Sequence, residues 1–252
     1  AIYLVSHNIG YQFQELAYFT NTRKANRTLL NKYQKLLGQS DFISPRSIEN
    51  IFPIQLNTIS LEKDGNSLLS PISMHIKQGE KIAIIGESGS GKTTLLNIIH
   101  GEEIPTSGQI SFAGQNLSRQ EITSLSSYIL QDSHYFDTLS LEDNILLGLD
   151  KKEDRLNHIL KTTGLEHLKN RTLSNDSLSG GEKQRLEIAR ALYHDSQLIL
   201  ADEIKANLDL ENSRKISDLL FSLPQTVIEV IHHYTEEDLK HYDQIIHLSK
   251  EK

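Results

Sequence analysis

The sequence predicts an α/β fold with a mainly parallel sheet, and two observations support this. Short apolar runs alternate along the chain with segments whose apolar residues recur at helical spacing. A glycine-rich loop, residues 86–94, also separates the apolar run 81–85 from the helical pattern 93–99. A strand that turns into a helix in this way is typical of a parallel sheet with helices packed against it.

The loop between that strand and that helix has the composition of a phosphate-binding loop. It fits the pattern G-x-x-x-x-G-K-[ST], in which backbone N–H groups and the helix N-terminus surround an anion. In this pattern Lys92 reaches the β- and γ-phosphates, and the Thr93 hydroxyl binds Mg²⁺. The candidate nucleotide-binding residues are Gly86, Glu87, Ser88, Gly89, Ser90, Gly91, Lys92, Thr93 and Thr94. The sequence therefore predicts a protein that binds a nucleoside triphosphate together with Mg²⁺.

A second stretch, Leu-Ser-Gly-Gly-Glu at 178–182, opens a long helical pattern that reaches residue 192. Alone it is an ordinary loop. Downstream of a phosphate loop it resembles the signature of the ATP-binding-cassette (ABC) family, and the resemblance extends over residues 54–248. It implies ATP as the nucleotide, a phosphate-loop NTPase core with an antiparallel β edge, and a helical lobe that carries the signature. It also implies that Ser179, Gly180 and Gly181 contact ATP bound to a second copy of the domain.

Two carboxylates end the apolar run 197–201 and match the catalytic acids of that family. In phosphate-loop proteins the first acid, here Asp202, holds the Mg²⁺ shell. The second, Glu203, is placed to act as the general base that polarises the attacking water. Helix capping is the alternative role for two acids at the end of a strand.

Three further positions take their roles from the resemblance. Gln131 follows the apolar run 128–130 and corresponds to a glutamine that contacts the metal and the attacking water. Asp209 lies in a segment that resembles the loop crossing the dimer interface, and we expect it to contact the nucleotide. His232 ends an apolar run 29 residues after Glu203 and resembles the histidine that contacts the γ-phosphate. Because His233 follows it directly, the choice between the two histidines is open.

The chain departs from the family pattern near these sites. Ile204 and Lys205 follow the two acids, where the family has Pro or Ala and then Thr or Ser. Glu229 lies inside an apolar run, and an unpaired charge there would be costly, so it needs a partner or an exposed edge. Lys63 stands where the family has an aromatic residue that stacks on adenine, which predicts weaker and less selective binding of the base.

Composition limits the other possibilities. The chain has 252 residues, of which 37% are hydrophobic, and this suits one large or two modest globular domains. The absence of cysteine excludes disulfides and thiolate chemistry, and a net charge of −7 argues against a nucleic-acid partner. No apolar run approaches the ~20 residues that span a bilayer.

The first fifty residues differ from the rest of the chain. They carry a net charge of +3, against −10 for the remainder. An apolar, aromatic beginning is followed by a basic helical pattern, which is typical of a chain leaving a membrane on its cytoplasmic side. An amphipathic helix packed on the domain is the alternative. Because the chain begins at Ala1 rather than methionine, we expect it to be a piece of a longer protein.

These observations predict two regions: a helix and linker over 1–50, ending a membrane domain, and a nucleotide-binding domain over 51–252 with its helical lobe at about 132–190. Helical patterns at 141–147, 154–163 and 165–169 lie within that lobe. The resemblance implies a head-to-tail dimer with a second nucleotide-binding domain, identical or not. The dimer would power transport at the cytoplasmic face of a membrane. We expect an exporter whose membrane domain precedes this region in the same chain. A separate ATPase subunit of a permease and a soluble ATPase of an assembly or repair system are the alternatives.

Overall fold

The computed structural model describes residues 48–131, 134–174 and 177–249, and within these ranges the chain forms eight strands and seven α-helices. The strands are β1 (Ile54–Lys63), β2 (Asn66–Ile76), β3 (Lys81–Gly86), β4 (Ser107–Phe112), β5 (Ser126–Ile129), β6 (Leu198–Asp202), β7 (Thr226–Val230) and β8 (Gln244–Leu248). The helices are α1 (Lys92–Ile99), α2 (Arg119–Leu125), α3 (Leu141–Leu146), α4 (Glu153–Thr163), α5 (Gly180–Tyr193), α6 (Leu210–Ser222) and α7 (Glu236–Leu239).

Five strands form a parallel sheet in the order β5-β6-β7-β3-β8. Its central strands β3, β6 and β7 are apolar runs and are buried along nearly their whole length, because helices cover both faces of such a sheet. The α/β fold with a mainly parallel sheet is thus confirmed.

A second, three-stranded antiparallel sheet has the order β2-β1-β4. Strands β1 and β2 form a hairpin whose two loop residues, Asp64 and Gly65, both have positive φ. Such a two-residue loop matches the twist of the strands it joins. The apolar pattern predicts β1 but not β2 or β4, since much of these two strands is exposed and polar. This sheet is the antiparallel β edge that the family resemblance implied.

Helices fill the chain between β5 and β6. Helices α3 and α4 and one face of α5 share a separate apolar core, which includes Leu141, Ile145, Leu156, Leu160 and Leu186. The helical patterns predicted at 141–147 and 154–163 correspond to α3 and α4. The segment 165–169 forms a short 3₁₀ turn, Glu166–Leu168, rather than an α-helix.

Most of the predicted N-terminal helix and linker, residues 1–47, lies outside the described residues. Within the described ranges, no helix is both long enough and apolar enough to cross a bilayer.

Candidate functional site

The predicted site residues gather at one edge of the parallel sheet. Strand β3 runs into the phosphate loop, β6 ends at Asp202, and β7 leads to His232. These strands are neighbours in the order β6-β7-β3, so their carboxyl ends lie side by side. Ligands of open α/β sheets bind outside this edge.

The phosphate loop holds Lys92 folded back on the loop itself. The Lys92 Nζ donates to the carbonyl oxygens of Gly86 and Glu87, each at 2.9 Å, and the residue is only 5% exposed. These two carbonyl oxygens accept hydrogen bonds that the ammonium group would donate to phosphate oxygens when a nucleotide is bound. Gly91, just before α1, has φ +93°, and a Cβ there would lie 2.5 Å from the Leu68 carbonyl oxygen. The loop therefore requires glycine at this position.

Thr93 and Asp202 meet beside this loop, as the predicted metal site requires. The Thr93 hydroxyl donates to Asp202 Oδ2 at 2.8 Å, and the Tyr128 hydroxyl donates to the same oxygen at 3.2 Å. The other carboxylate oxygen, Oδ1, is buried without a hydrogen-bond partner. Mg²⁺ is commonly bound by one or two protein oxygens together with substrate phosphates, so this donor set fits it.

Sequence reasoning did not identify Tyr128 as a site residue. Burial, together with the negative charge of Asp202, raises the pKa of the Tyr128 hydroxyl, so it remains a proton donor to the carboxylate. Its position three residues before Gln131 was the only signal that the sequence offered.

Glu203 and His232 are in direct contact. Glu203 Oε1 lies 2.8 Å from His232 Nε2, and each side chain is 30% exposed, which leaves the pair accessible to water. Glu203 has φ +55°, a backbone conformation uncommon for a residue with a long side chain. Its backbone N–H donates to the Val230 carbonyl oxygen of β7 at 3.3 Å. Of the two adjacent histidines, it is therefore His232 that meets the candidate base.

Gln131 lies at a cavity of about 450 Å³ between the strand edge and the helical segment. Its carbonyl oxygen accepts a hydrogen bond from Gln184 Nε2 of α5 at 2.9 Å, which fixes this backbone to the helix. The cavity is lined by Gln131, His134, Gly180, Lys183, Gln184, Ile204, Asn207 and Leu208. The segment after β5, the start of α5 and the segment after Glu203 thus share one cleft.

Ser179 caps helix α5. Its hydroxyl accepts from the Glu182 N–H, and the Glu182 carboxylate accepts in return from the Ser179 N–H and hydroxyl. Among the described residues, no hydrogen bond joins the Ser179–Gly181 turn to the phosphate loop of the same chain. Burial alone would raise the pKa of Glu182, but hydrogen bonds from Ser179 and His167 outweigh it and lower this pKa to about 2.

Glu182→Gln is expected to lower the free energy of unfolding at neutral pH. The difference in this free energy between the variant and the unaltered chain should become smaller in acid. Because the pKa of Glu182 in the folded protein lies below its ordinary value of 4.5, its stabilising effect is complete above pH 4.5 and is lost as the pH falls towards 2. Urea unfolding of both proteins at pH 7 and at several values below 4.5 measures the difference. Glu211→Gln, at an exposed ion pair on α6, is the control, and a constant difference across this range would contradict the prediction.

Asp209 caps helix α6. Its carboxylate accepts from the Asn212 backbone N–H at 2.9 Å, and this hydrogen bond lowers the pKa of Asp209. Its predicted contact with a nucleotide stays a prediction, as does that of the Ser179–Gly181 turn.

Lys205 and Glu229, two residues that depart from the family pattern, are in contact with each other. Lys205 Nζ lies 2.8 Å from Glu229 Oε1, and the Tyr242 hydroxyl donates to Glu229 Oε2. The charge inside the apolar run thus has the partner that its burial requires.

Comparisons with known proteins identify relatives of this chain. A family model described as "ABC transporter" matches residues 69–206. The chain is 36% identical over 209 residues to the spermidine/putrescine import ATP-binding protein PotA of Mycoplasma mycoides. This alignment covers 77% of this chain and 58% of that protein. It is 32% identical over 255 residues to the lactococcin-A transport/processing ATP-binding protein LcnC of Lactococcus lactis. This second alignment covers 90% of this chain and 35% of that protein. The chain therefore spans little more than half of the first relative and about a third of the second.

Among solved structures, cbiO1 of Clostridium perfringens, part of the ABC transporter complex cbiONQ, is similar with a TM-score of 0.65 and 28% identity. The similarity covers 74% of this chain and 80% of that one.

Proposed function

This chain belongs to the ABC transporter family and carries its ATPase domain, and we propose that it hydrolyses ATP between two nucleotide-binding domains packed head to tail. In this proposal, the cycle of ATP binding and hydrolysis drives transport of a substrate across a membrane. One observation carries the proposal. The phosphate loop, the Thr93–Asp202 contact and the Glu203–His232 contact lie together at the carboxyl edge of β3, β6 and β7.

Each side chain has a chemical task in this scheme. The Lys92 ammonium leaves the two loop carbonyls and binds the β- and γ-phosphates. Thr93, Asp202 and Gln131 would hold Mg²⁺, which neutralises charge on the phosphate oxygens when bound. Glu203 accepts a proton from the attacking water, and His232 orients that carboxylate. By resemblance to the family, His232 also contacts the γ-phosphate.

The second half of each site comes from a partner domain. The Ser179–Gly181 turn opens α5 with the backbone N–H groups of Gly180 and Gly181 and the positive end of the helix dipole, a combination that binds anions. Because this turn is not bonded to the loop of its own chain, we propose that it contacts ATP held by the partner's loop, with Asp209 crossing the interface nearby. ATP then joins the two domains and its hydrolysis separates them. The partner domain is a second copy or a related chain.

We propose export as the direction and a membrane domain in the same polypeptide. The basic, aromatic composition of residues 1–50 supports this. The alignment with LcnC covers 90% of this chain and must therefore extend into that region, which makes up about a fifth of the sequence. The second candidate is a separate ATPase subunit of a permease complex, which is favoured by the similarity to cbiO1 and by the PotA alignment, which covers only 77% of the chain.

Washing of membranes tests the arrangement. The full-length product that contains this segment should stay in the membrane pellet after both high-salt and alkaline washes. Release by salt would indicate a peripheral subunit bound to a separate permease. A product that is in the cytosol from the start would contradict the transport proposal.

ATP and GTP are expected to bind with similar affinity. Lys63, the exposed last residue of β1, occupies the position assigned to the stacking aromatic, so no ring there favours one base. Lys63→Tyr should tighten ATP binding, because stacking of a base on an aromatic ring is worth about 1–3 kcal/mol. Titration with fluorescent ATP and GTP analogues measures both effects, and Lys63→Met is the control for loss of the charge. A strong preference of the unaltered chain for ATP would contradict the prediction.

A further inference from the structure

We propose that Lys205 and Glu229 are positioning residues, whose buried ion pair sets the contact between Glu203 and His232. The inference rests on the proposed function, in which Glu203 is the general base. Neither residue touches the nucleotide in this scheme, and both act through the segments that carry the two catalytic side chains.

Glu229 is fully buried and Lys205 is largely buried. The Glu229 side chain is 2% exposed and that of Lys205 is 18% exposed. Glu229 is the fourth residue of β7, where it pairs in register with Ala83 of β3 and Ala201 of β6. Two alanines beside it on the same face of the sheet leave room for a long polar side chain. The strand is therefore built to accept this carboxylate.

Each charged group has a second partner. Lys205 Nζ donates to the Ser217 hydroxyl of α6 at 2.9 Å, and Glu229 Oε2 accepts from the Tyr242 hydroxyl. Glu229 Oε1 meets Lys205 as an ion pair without the alignment of a hydrogen bond. Burial and the charge of Glu229 raise the pKa of Tyr242, which therefore stays a donor. A network satisfied in this way has one preferred geometry, and removing one partner leaves a buried charge uncompensated.

The pair bridges the two segments that meet in the catalytic contact. Lys205 is two residues after Glu203, and Glu229 is three residues before His232. The Lys205–Glu229 ion pair thus joins the same two segments of chain as the Glu203–His232 contact. Glu203 needs such a restraint because its positive φ is not a conformation that its own side chain favours. A displacement of about 1 Å at a catalytic group can lower a rate ~100-fold.

An ion pair that only stabilised the fold would affect different measurements. Its loss would lower the melting temperature while the folded protein hydrolysed ATP at the original kcat. Loss of a positioning pair lowers kcat itself and leaves the KM for ATP in place, because the phosphate loop is not displaced.

Lys205→Met, Lys205→Arg and Glu229→Gln test the proposal in steady-state ATPase assays at a temperature where circular dichroism shows each variant folded. Lys205→Met and Glu229→Gln are expected to lower kcat tenfold or more, with KM for Mg·ATP within twofold of the unaltered protein. Lys205→Arg keeps the charge and should retain most of kcat. Glu229→Gln keeps the volume and the acceptor for Tyr242, so it reports on the charge even if Lys205→Met folds poorly.

Arg155→Met is the matched control, since it removes an ion pair with Asp195 in the helical segment. It should lower the melting temperature without altering kcat. An unchanged kcat in folded Lys205→Met and Glu229→Gln would overturn the inference, and so would an equal loss in Lys205→Arg. Glu203→Gln is assayed in the same series. If it hydrolyses ATP normally, Glu203 is not the general base and the premise of this inference fails; if it is inactive, the results for the other variants bear on the ion pair alone. Absence of ATP hydrolysis by the unaltered chain would instead contradict the proposed function.

Discussion

Replacing Glu203 by Gln is expected to lower the rate of ATP hydrolysis by about 10²–10⁴-fold, the range that general-base catalysis contributes. The amide cannot accept the proton of the attacking water, yet it has the volume of the carboxylate and an oxygen that accepts from His232. ATP binding depends on the phosphate loop, which this change does not touch. The variant should therefore bind ATP with the affinity of the unaltered chain.

The same substitution should trap the dimer. If hydrolysis separates the two domains, a variant that binds ATP without hydrolysing it accumulates the joined state. Size-exclusion chromatography with light scattering, in the presence and absence of Mg·ATP, measures this directly. Glu211→Gln, an exposed acid on α6, is the control and should remain monomeric and active. Normal turnover by Glu203→Gln would assign the base to another group.

His232 provides a second measurement on this pair. Its Nε2 is 2.8 Å from the Glu203 carboxylate, so one imidazole orients the base directly. His233 has no such contact with Glu203 in the described part of the chain. If the contact matters in solution, alanine at 232 lowers hydrolysis and alanine at 233 does not. This comparison decides between two histidines that the sequence alone cannot separate.

The sequence predicted the features of the fold that depend on local pattern. Strands β3, β6 and β7 are continuous apolar runs because both faces of the sheet are covered, and such runs are visible without any structure. The phosphate loop is equally local, since its glycines, Lys92 and Thr93 are consecutive. Once the three strands are parallel neighbours, convergence of their carboxyl ends follows from geometry.

Features that depend on long-range contacts were not predictable in this way. Strands β2 and β4 pair with β1 while exposing polar faces, so no apolar pattern marks them. The pairing of Lys205 with Glu229 joins residues on different elements, and each one alone appeared only as a departure from the family pattern. The Tyr128–Asp202 hydrogen bond likewise spans 74 positions of the chain. Sequence reasoning could state that Glu229 needs a partner but could not supply it.

Replacing Lys92 by Met is expected to have the other large effect, on nucleotide binding as well as on hydrolysis. The ammonium offers three donors, and two of them are held by loop carbonyls that phosphate oxygens would replace. Hydrogen bonds to charged groups are worth about 1.5–3 kcal/mol each. Since 1.4 kcal/mol is a factor of ten in affinity, loss of one or two of these bonds should weaken ATP binding by roughly 10- to 10⁴-fold.

Methionine is the suitable replacement because it retains much of the apolar stem that lies buried beneath the loop, so the fold should survive. Lys240→Met, which removes an exposed lysine that pairs with Glu237 at the end of α7, controls for loss of a positive charge. Isothermal titration with Mg·ATP and with Mg·ADP separates the contributions of the phosphates. If the ammonium binds both the β- and γ-phosphates, Lys92→Met weakens ATP more than ADP. An equal loss for both nucleotides would confine Lys92 to the β-phosphate, and unchanged binding would remove it from the site.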